Sequence, residues 1–297
     1  MREETKSVLG IAYLRTIIIA IFTLISYLLL FFYSGIDKYF TKACLLLFGF
    51  YAVILFVLFM LNKKHGQNIA AIYKDNTVRK TTGILILISG LISLFVYIPA
   101  DINAIAQIIK SNIDSSVIPN IVSATLIICQ ILIAIYLLKC KIKTNEGYIV
   151  ETVLGVAYLH TIITFTFSLA DELSQSIISH ASLNEYFLLR FVPLAVILLV
   201  LYGLNKKRNQ STISIFNDNT ARKTTGVLII VDGLISISII INTVINIVWL
   251  RNFLGGSVNH TAQSITQNIV RSIIFICQIL LGLYLLKYYK TKPANKK

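Results

Sequence analysis

Charge is scarce in this sequence. Asp, Glu, Lys and Arg make up only 13% of its 297 residues, and of these just 13 are acidic against 27 basic. Ordinary soluble domains carry about 25% charged residues. A chain this poor in charge and 56% apolar cannot bury its apolar surface by folding alone, which excludes an ordinary soluble globule. Cysteine is also sparse. Cys44, Cys129, Cys140 and Cys277 form no C-x-x-C pair and share no ligand spacing with histidine, so neither a disulfide framework nor a metal knuckle is expected. Cys129 and Cys277 fall inside apolar runs and read as small core residues. Cys140, between Lys139 and Lys141, has the setting of an acylation site. The sequence lacks H-E-x-x-H, G-x-S-x-G and any glycine-rich phosphate loop. Its four histidines, His65, His160, His180 and His260, are dispersed. Asp101 and Asp232 sit too far apart in depth to act as an aspartyl pair. These absences argue against an enzyme, a cofactor, a bound metal and a self-powered pump.

What the sequence has is Leu, Ile, Val and Phe in long blocks. Eight apolar runs stand out, at about 8–32, 44–61, 83–108, 119–138, 153–170, 187–204, 226–250 and 268–286. Such lengths suit a hydrocarbon layer about 30 Å thick crossed at about 1.5 Å per residue. The first run is too long for a signal peptide's apolar segment and no small-residue cleavage site follows it, so it reads as a retained span.

The runs fall into two sets of four because the sequence repeats itself. VLGIAYLRTIIIAIFTLI from Val8 matches VLGVAYLHTIITFTFSLA from Val153. LNKK at Leu61 recurs at Leu204, DNTVRKTTG at Asp75 recurs as DNTARKTTG at Asp218, and ICQIL at Ile128 recurs at Ile276. The predicted fold class is therefore all-α: a polytopic membrane protein of eight transmembrane helices. It divides into two tandem four-helix repeats, 1–145 and 146–297. An even number of spans per copy makes the copies parallel, related by a pseudo-twofold axis along the membrane normal.

Orientation follows from the basic residues. The segments 1–7, 62–82, 139–152, 205–225 and 287–297 hold 20 of the 27 Lys and Arg, whereas the opposite side holds Lys38, Lys42, Lys110 and Arg251. This predicts a plasma-membrane protein with both termini cytoplasmic. The net charge of +14 is then a topology signal that also favours anionic lipid at the cytoplasmic face. Nucleic acid is a poor partner, because the charge is divided among short loops.

Two cytoplasmic loops share a short amphipathic stretch followed by D-N-T-x-R-K-T-T-G. Arg79, Lys80, Arg222 and Lys223 are candidate anion or lipid contacts at the mouths of spans 3 and 7. A plainer reading makes Thr81, Thr82, Thr224 and Thr225 the helix caps and the basic pairs topology signals.

Ionisable residues inside spans point to function. Asp232 lies about 9 Å into span 7, by the rise of a helix. Arg15 in span 1 lies at a similar depth. The counterpart of Arg15 is His160, and that of Asp232 is Ser89. Asp232 is expected to pair with Arg15, across the copies, or with His160, within the second. Thr225, Asp232, Ser236, Thr243 and Asn246 share a helix face about 80° wide. Gln130 and Gln278, near mid-membrane, could look into the same region. One reading is a polar cleft between the copies, as in a small transporter or permease. The other is helix packing in a non-transporting protein, such as an immunity, sensor or assembly factor that meets a protein partner through its loops.

Overall fold

The computed structural model describes residues 2–34, 38–110, 117–139, 146–179, 185–254 and 258–287. Side chains are described within 5–26, 28–29, 47–94, 124–139, 151–178, 191–241, 243–244 and 265–287. Among the described residues all regular structure is helical, without strands. Its helices are α1 (Arg2–Ser34), α2 (Lys38–Lys64), α3 (Ile69–Lys74), α4 (Asn76–Lys110), α5 (Val117–Lys139), α6 (Glu146–Ser179), α7 (Glu185–Lys207), α8 (Thr212–Asn217), α9 (Asn219–Leu254) and α10 (Val258–Lys287). Among the described residues, six contain segments long and apolar enough to cross a membrane: Thr5–Ser26, Leu47–Lys64, Asn76–Leu94, Glu151–Ile178, Asn219–Ile241 and Ile265–Lys287. The other two expected spans fall on α5 and α7, each 23 residues long. Of α5, the described apolar part is Ala124–Lys139.

The buried core lies among α1, α4, α6 and α9, where Ile11, Ala12, Val78, Ile86, Val156, Ala157, Ala221, Leu228 and Ile229 are fully enclosed. The outer faces are as apolar as the core. Phe56 on α2, Leu132 on α5, Leu199 on α7 and Leu280 on α10 are all exposed. An apolar girdle of this kind has no place in water, and lipid satisfies it. Cys129 and Cys277 belong to that exposed girdle rather than to the core, which corrects the sequence reading. Hydropathy alone cannot tell a lipid-facing position from a buried one. The side chains of Cys44 and Cys140 lie outside the described residues.

Packing partners recur across the two halves. Helix α1 packs on α2, α4 and α5, and α6 packs on α7, α9 and α10. Across the halves α9 meets α1 and α2, while α4 meets α6 and α7. The identical sequence segments make identical bonds. Asn62 Nδ2 donates to the carbonyls of Leu9 (3.3 Å) and Leu58 (2.8 Å), tying α2 to α1. Asn205 Nδ2 does the same with Leu154 (3.4 Å) and Leu201 (2.8 Å). After each of these helices a residue turns left-handed, Gly66 at φ 72° and Asn209 at φ 58°, a common way to end a helix. A short helix follows, capped by Asn68 in one half and Ser211 in the other. Each short helix drives one isoleucine inward, Ile72 or Ile215, to 2% exposure. Those isoleucines help to fill the notches left by two glycines: a Cβ at Gly10 would lie 3.0 Å from Val78 Cγ2 and 3.5 Å from Ile72 Cγ2, and one at Gly155 would lie 3.1 Å from Ile215 Cγ2.

Helices α4 and α9 begin earlier than their apolar runs suggest. Asp75 Oδ1 accepts from the backbone N–H of Thr77 (2.9 Å) and Val78 (3.2 Å), and Asp218 Oδ1 from that of Thr220 (2.9 Å) and Ala221 (3.3 Å). These aspartates are the N-caps. Thr81, Thr82, Thr224 and Thr225, expected as caps, are instead fully buried inside the helices, and their hydroxyls have no hydrogen-bond partner among the described residues.

Candidate functional site

Three long helices bring one residue each to a single point. Arg15 comes from α1, His160 from α6 and Asp232 from α9. Arg15 Nη1 donates to Asp232 Oδ1 at 2.6 Å and Nη2 donates to Oδ2 at 3.2 Å. His160 Nε2 meets the same Oδ2 at 2.9 Å. The side chains of Arg15 and His160 are each 9% exposed, and that of Asp232 is 20% exposed. The two expected pairings are thus not alternatives, since one carboxylate serves both partners. The fork of the guanidinium matches the two carboxylate oxygens. An ionised carboxylate only accepts, so the imidazole nitrogen facing it carries a proton. With a neutral imidazole the cluster sums to zero charge, which is the state an apolar surrounding favours.

The other candidates separate into those near this point and those elsewhere. Ser236, one turn beyond Asp232, is half-buried, as is Ser89 on α4. Thr243 is exposed and donates to the carbonyl of Ile239 on its own helix (2.9 Å), so the shared polar face does not look inward along its whole length. The side chain of Asn246 lies outside the described residues. Gln278 is buried and its Nε2 reaches the Ile229 carbonyl at 3.4 Å, joining α10 to α9. Gln130 is half-buried beside Gly90.

Arg79 and Arg222, expected at an anion or lipid surface, are buried to 2% and 1% exposure. Arg79 Nε donates to the Leu137 carbonyl at 3.2 Å, and Arg222 Nε to the Leu285 carbonyl at 3.3 Å. Their outer nitrogens hold Asn76 Oδ1 (2.8 Å) and Asn219 Oδ1 (2.6 Å). Each guanidinium therefore satisfies a last-turn carbonyl at the C-terminal end of the next long helix, where a cation is also favoured by the helix dipole. That role points these two side chains away from solvent and lipid. Their neighbours Lys80 and Lys223 are half-buried.

Arg271 forms a two-pronged bond with Asp171, 3.1 Å on each side, linking α10 to α6. The side chain of Asp101 lies outside the described residues. One signal in the sequence went unread. Asn62 and Asn205 stand in the repeated LNKK segments, and a repeated amide at a helix end indicates a tie to a neighbouring backbone. Among the described residues, no group of three His, Cys, Asp or Glu side chains could hold a metal.

Comparison with family models, with curated proteins and with solved structures finds no match. The class therefore rests on the molecule itself. It is a multi-helix, membrane-embedded protein with an ionic cluster among its apolar helices.

Proposed function

We propose that the chain is a small transporter of the permease kind, built as two parallel four-helix repeats with eight spans. It would lie in the plasma membrane with both termini cytoplasmic and anionic lipid around its basic face. The observation that carries this reading is the shared carboxylate. Asp232 of the second half is held at once by Arg15 of the first half and by His160 of its own. Packing alone can be achieved with small and hydroxyl residues at far less cost than a carboxylate among apolar helices. A bond across the junction that an aqueous ligand or a proton can loosen is what two halves need in order to rock about a central site. The reading involves no catalytic step and no nucleic acid.

One observation favours a second reading, a non-transporting immunity, sensor or assembly factor. The cluster satisfies itself, and a bidentate pair is well suited to locking two halves together.

The two readings differ in water access. In a chain with its four cysteines replaced by serine, single cysteines are placed at Ser89 and at Ser236. Transport requires that a membrane-impermeant thiol reagent reach at least one of them from one side, and that Asp232→Asn change the labelling rate. If neither position labels from either side, in either background, the transporter reading fails and the lock stands.

A further inference from the structure

A cavity of about 510 Å³ opens where α7 ends and α8 begins, walled by Tyr202, Lys206, Gln210, Ser211 and Ile213 among others. It shares no residue with the ionic cluster and belongs to the second half. Its wall has two characters. Tyr202 and Ile213 are exposed apolar surface, while Lys206 contributes a cation and Ser211 and Thr212 contribute hydroxyls. Among the described residues no carboxylate lines it, and Lys207 and Arg208 follow directly in sequence. Below it, α7 presents Val192, Val196 and Leu199 as exposed apolar residues. At 100° per residue these three share one flank of the helix with Tyr202 and Lys206. The stripe is oily along the membrane-crossing part, amphipathic at Tyr202 and cationic at its end.

We infer that this cavity is a binding site for the headgroup of an anionic phospholipid, whose acyl chain lies along the α7 stripe. A free anion would use the lysine and hydroxyls but would leave the stripe without purpose. A zwitterionic lipid would bring its own cation to a wall that already carries one. The matching positions of the first half are Phe59, Lys63, Gly66, Asn68 and Ile69, which keep the lysine but lose the phenol and both hydroxyls. The site is therefore a property of the second half. The inference rests on α7 crossing the membrane, as in the proposed eight-span architecture, and not on the transporter reading.

The test uses lipid-borne quenching of one tryptophan. The sole native tryptophan, Trp249, is replaced by Phe, and Tyr202→Trp puts the reporter in the cavity with its amphipathic character retained. The full chain is reconstituted in phosphatidylcholine vesicles containing brominated phosphatidylglycerol or brominated phosphatidylcholine at matched mole fractions. Quenching should favour the anionic lipid by about fivefold, the worth of roughly one basic side chain at an anionic surface. Lys206→Gln should bring the ratio close to parity, and Lys63→Gln should leave it unchanged. Equal quenching by both lipids, or a preference that survives Lys206→Gln, overturns the assignment. So does loss of the preference on adding millimolar inorganic phosphate, which would mark a site for free anions.

Discussion

Parting Asp232 from Arg15 should be the most damaging single change to the described cluster. Two unit charges about 4 Å apart attract by about 4 kcal/mol at the effective dielectric of a partly buried site. Much of that is offset by the cost of taking both groups out of water. The net worth of the pair is therefore modest, but the cost of breaking it from one side is not. In Asp232→Leu the guanidinium keeps its 9% exposure and loses both acceptors, at a cost of about 3–5 kcal/mol. Asp232 is itself 20% exposed, which places the loss near the lower figure. Arg15→Leu strands the carboxylate on the imidazole alone and should cost a similar amount. The double variant leaves neither charge and should cost only about 1 kcal/mol or less, because apolar replacements of a buried pair are often neutral. The coupling in the double-mutant cycle is thus expected to exceed about 3 kcal/mol. The measurement is unfolding of the purified protein by SDS titration from dodecyl maltoside, followed by circular dichroism. If each single variant loses under about 1 kcal/mol, or the double loses the sum of the two, the two halves are not joined by this bond.

Two further outcomes follow from packing and capping. A Cβ at Gly282 would lie 2.6 Å from Ile230 Cγ1 and 2.8 Å from the Gly226 carbonyl, whereas one at Gly49 or Gly203 meets nothing within 4 Å. Gly282→Ala should therefore destabilise by about 1–3 kcal/mol, while Gly49→Ala and Gly203→Ala should stabilise by up to about 1 kcal/mol, all read as thermal shifts by size-exclusion chromatography. Asp75→Ala and Asp218→Ala should each cost about 0.5–2 kcal/mol as lost caps. Thr82→Val and Thr225→Val should be neutral or stabilising, since each removes a buried hydroxyl that has no partner among the described residues. The same thermal assay would reverse the assignment of caps if the threonine variants proved the more damaging.

The helices were readable because apolar runs of this length admit few alternatives. The level of the cluster was readable too, since Arg15, His160 and Asp232 are each charged or titratable residues within apolar sequence, and equal depth brings them into register. What sequence could not give was rotation about a helix axis. Cys129 and Thr243 are both exposed, although one was expected in the core and the other on an inward face. In a bilayer the surroundings are as apolar as the interior, so hydropathy loses the contrast that orients a helix in water. The caps were misread for a related reason. Asn76 to Thr82 look like a polar loop, yet α4 already includes them. Arg79 can be buried there because a carbonyl of α5 awaits it, and that acceptor is 58 residues away in sequence.

The shared carboxylate also bears on why the two similar halves occupy one chain. In an assembly of two identical subunits every group arrives twice, so a point near the symmetry axis receives carboxylates in even numbers. Two of them beside one another would repel, and each would need its own cation. A single polypeptide is free of that parity. It can set Ser89 where its other half sets Asp232, and Arg15 where its other half sets His160. Three unlike groups then share one place, an arrangement that no pair of identical subunits could reach.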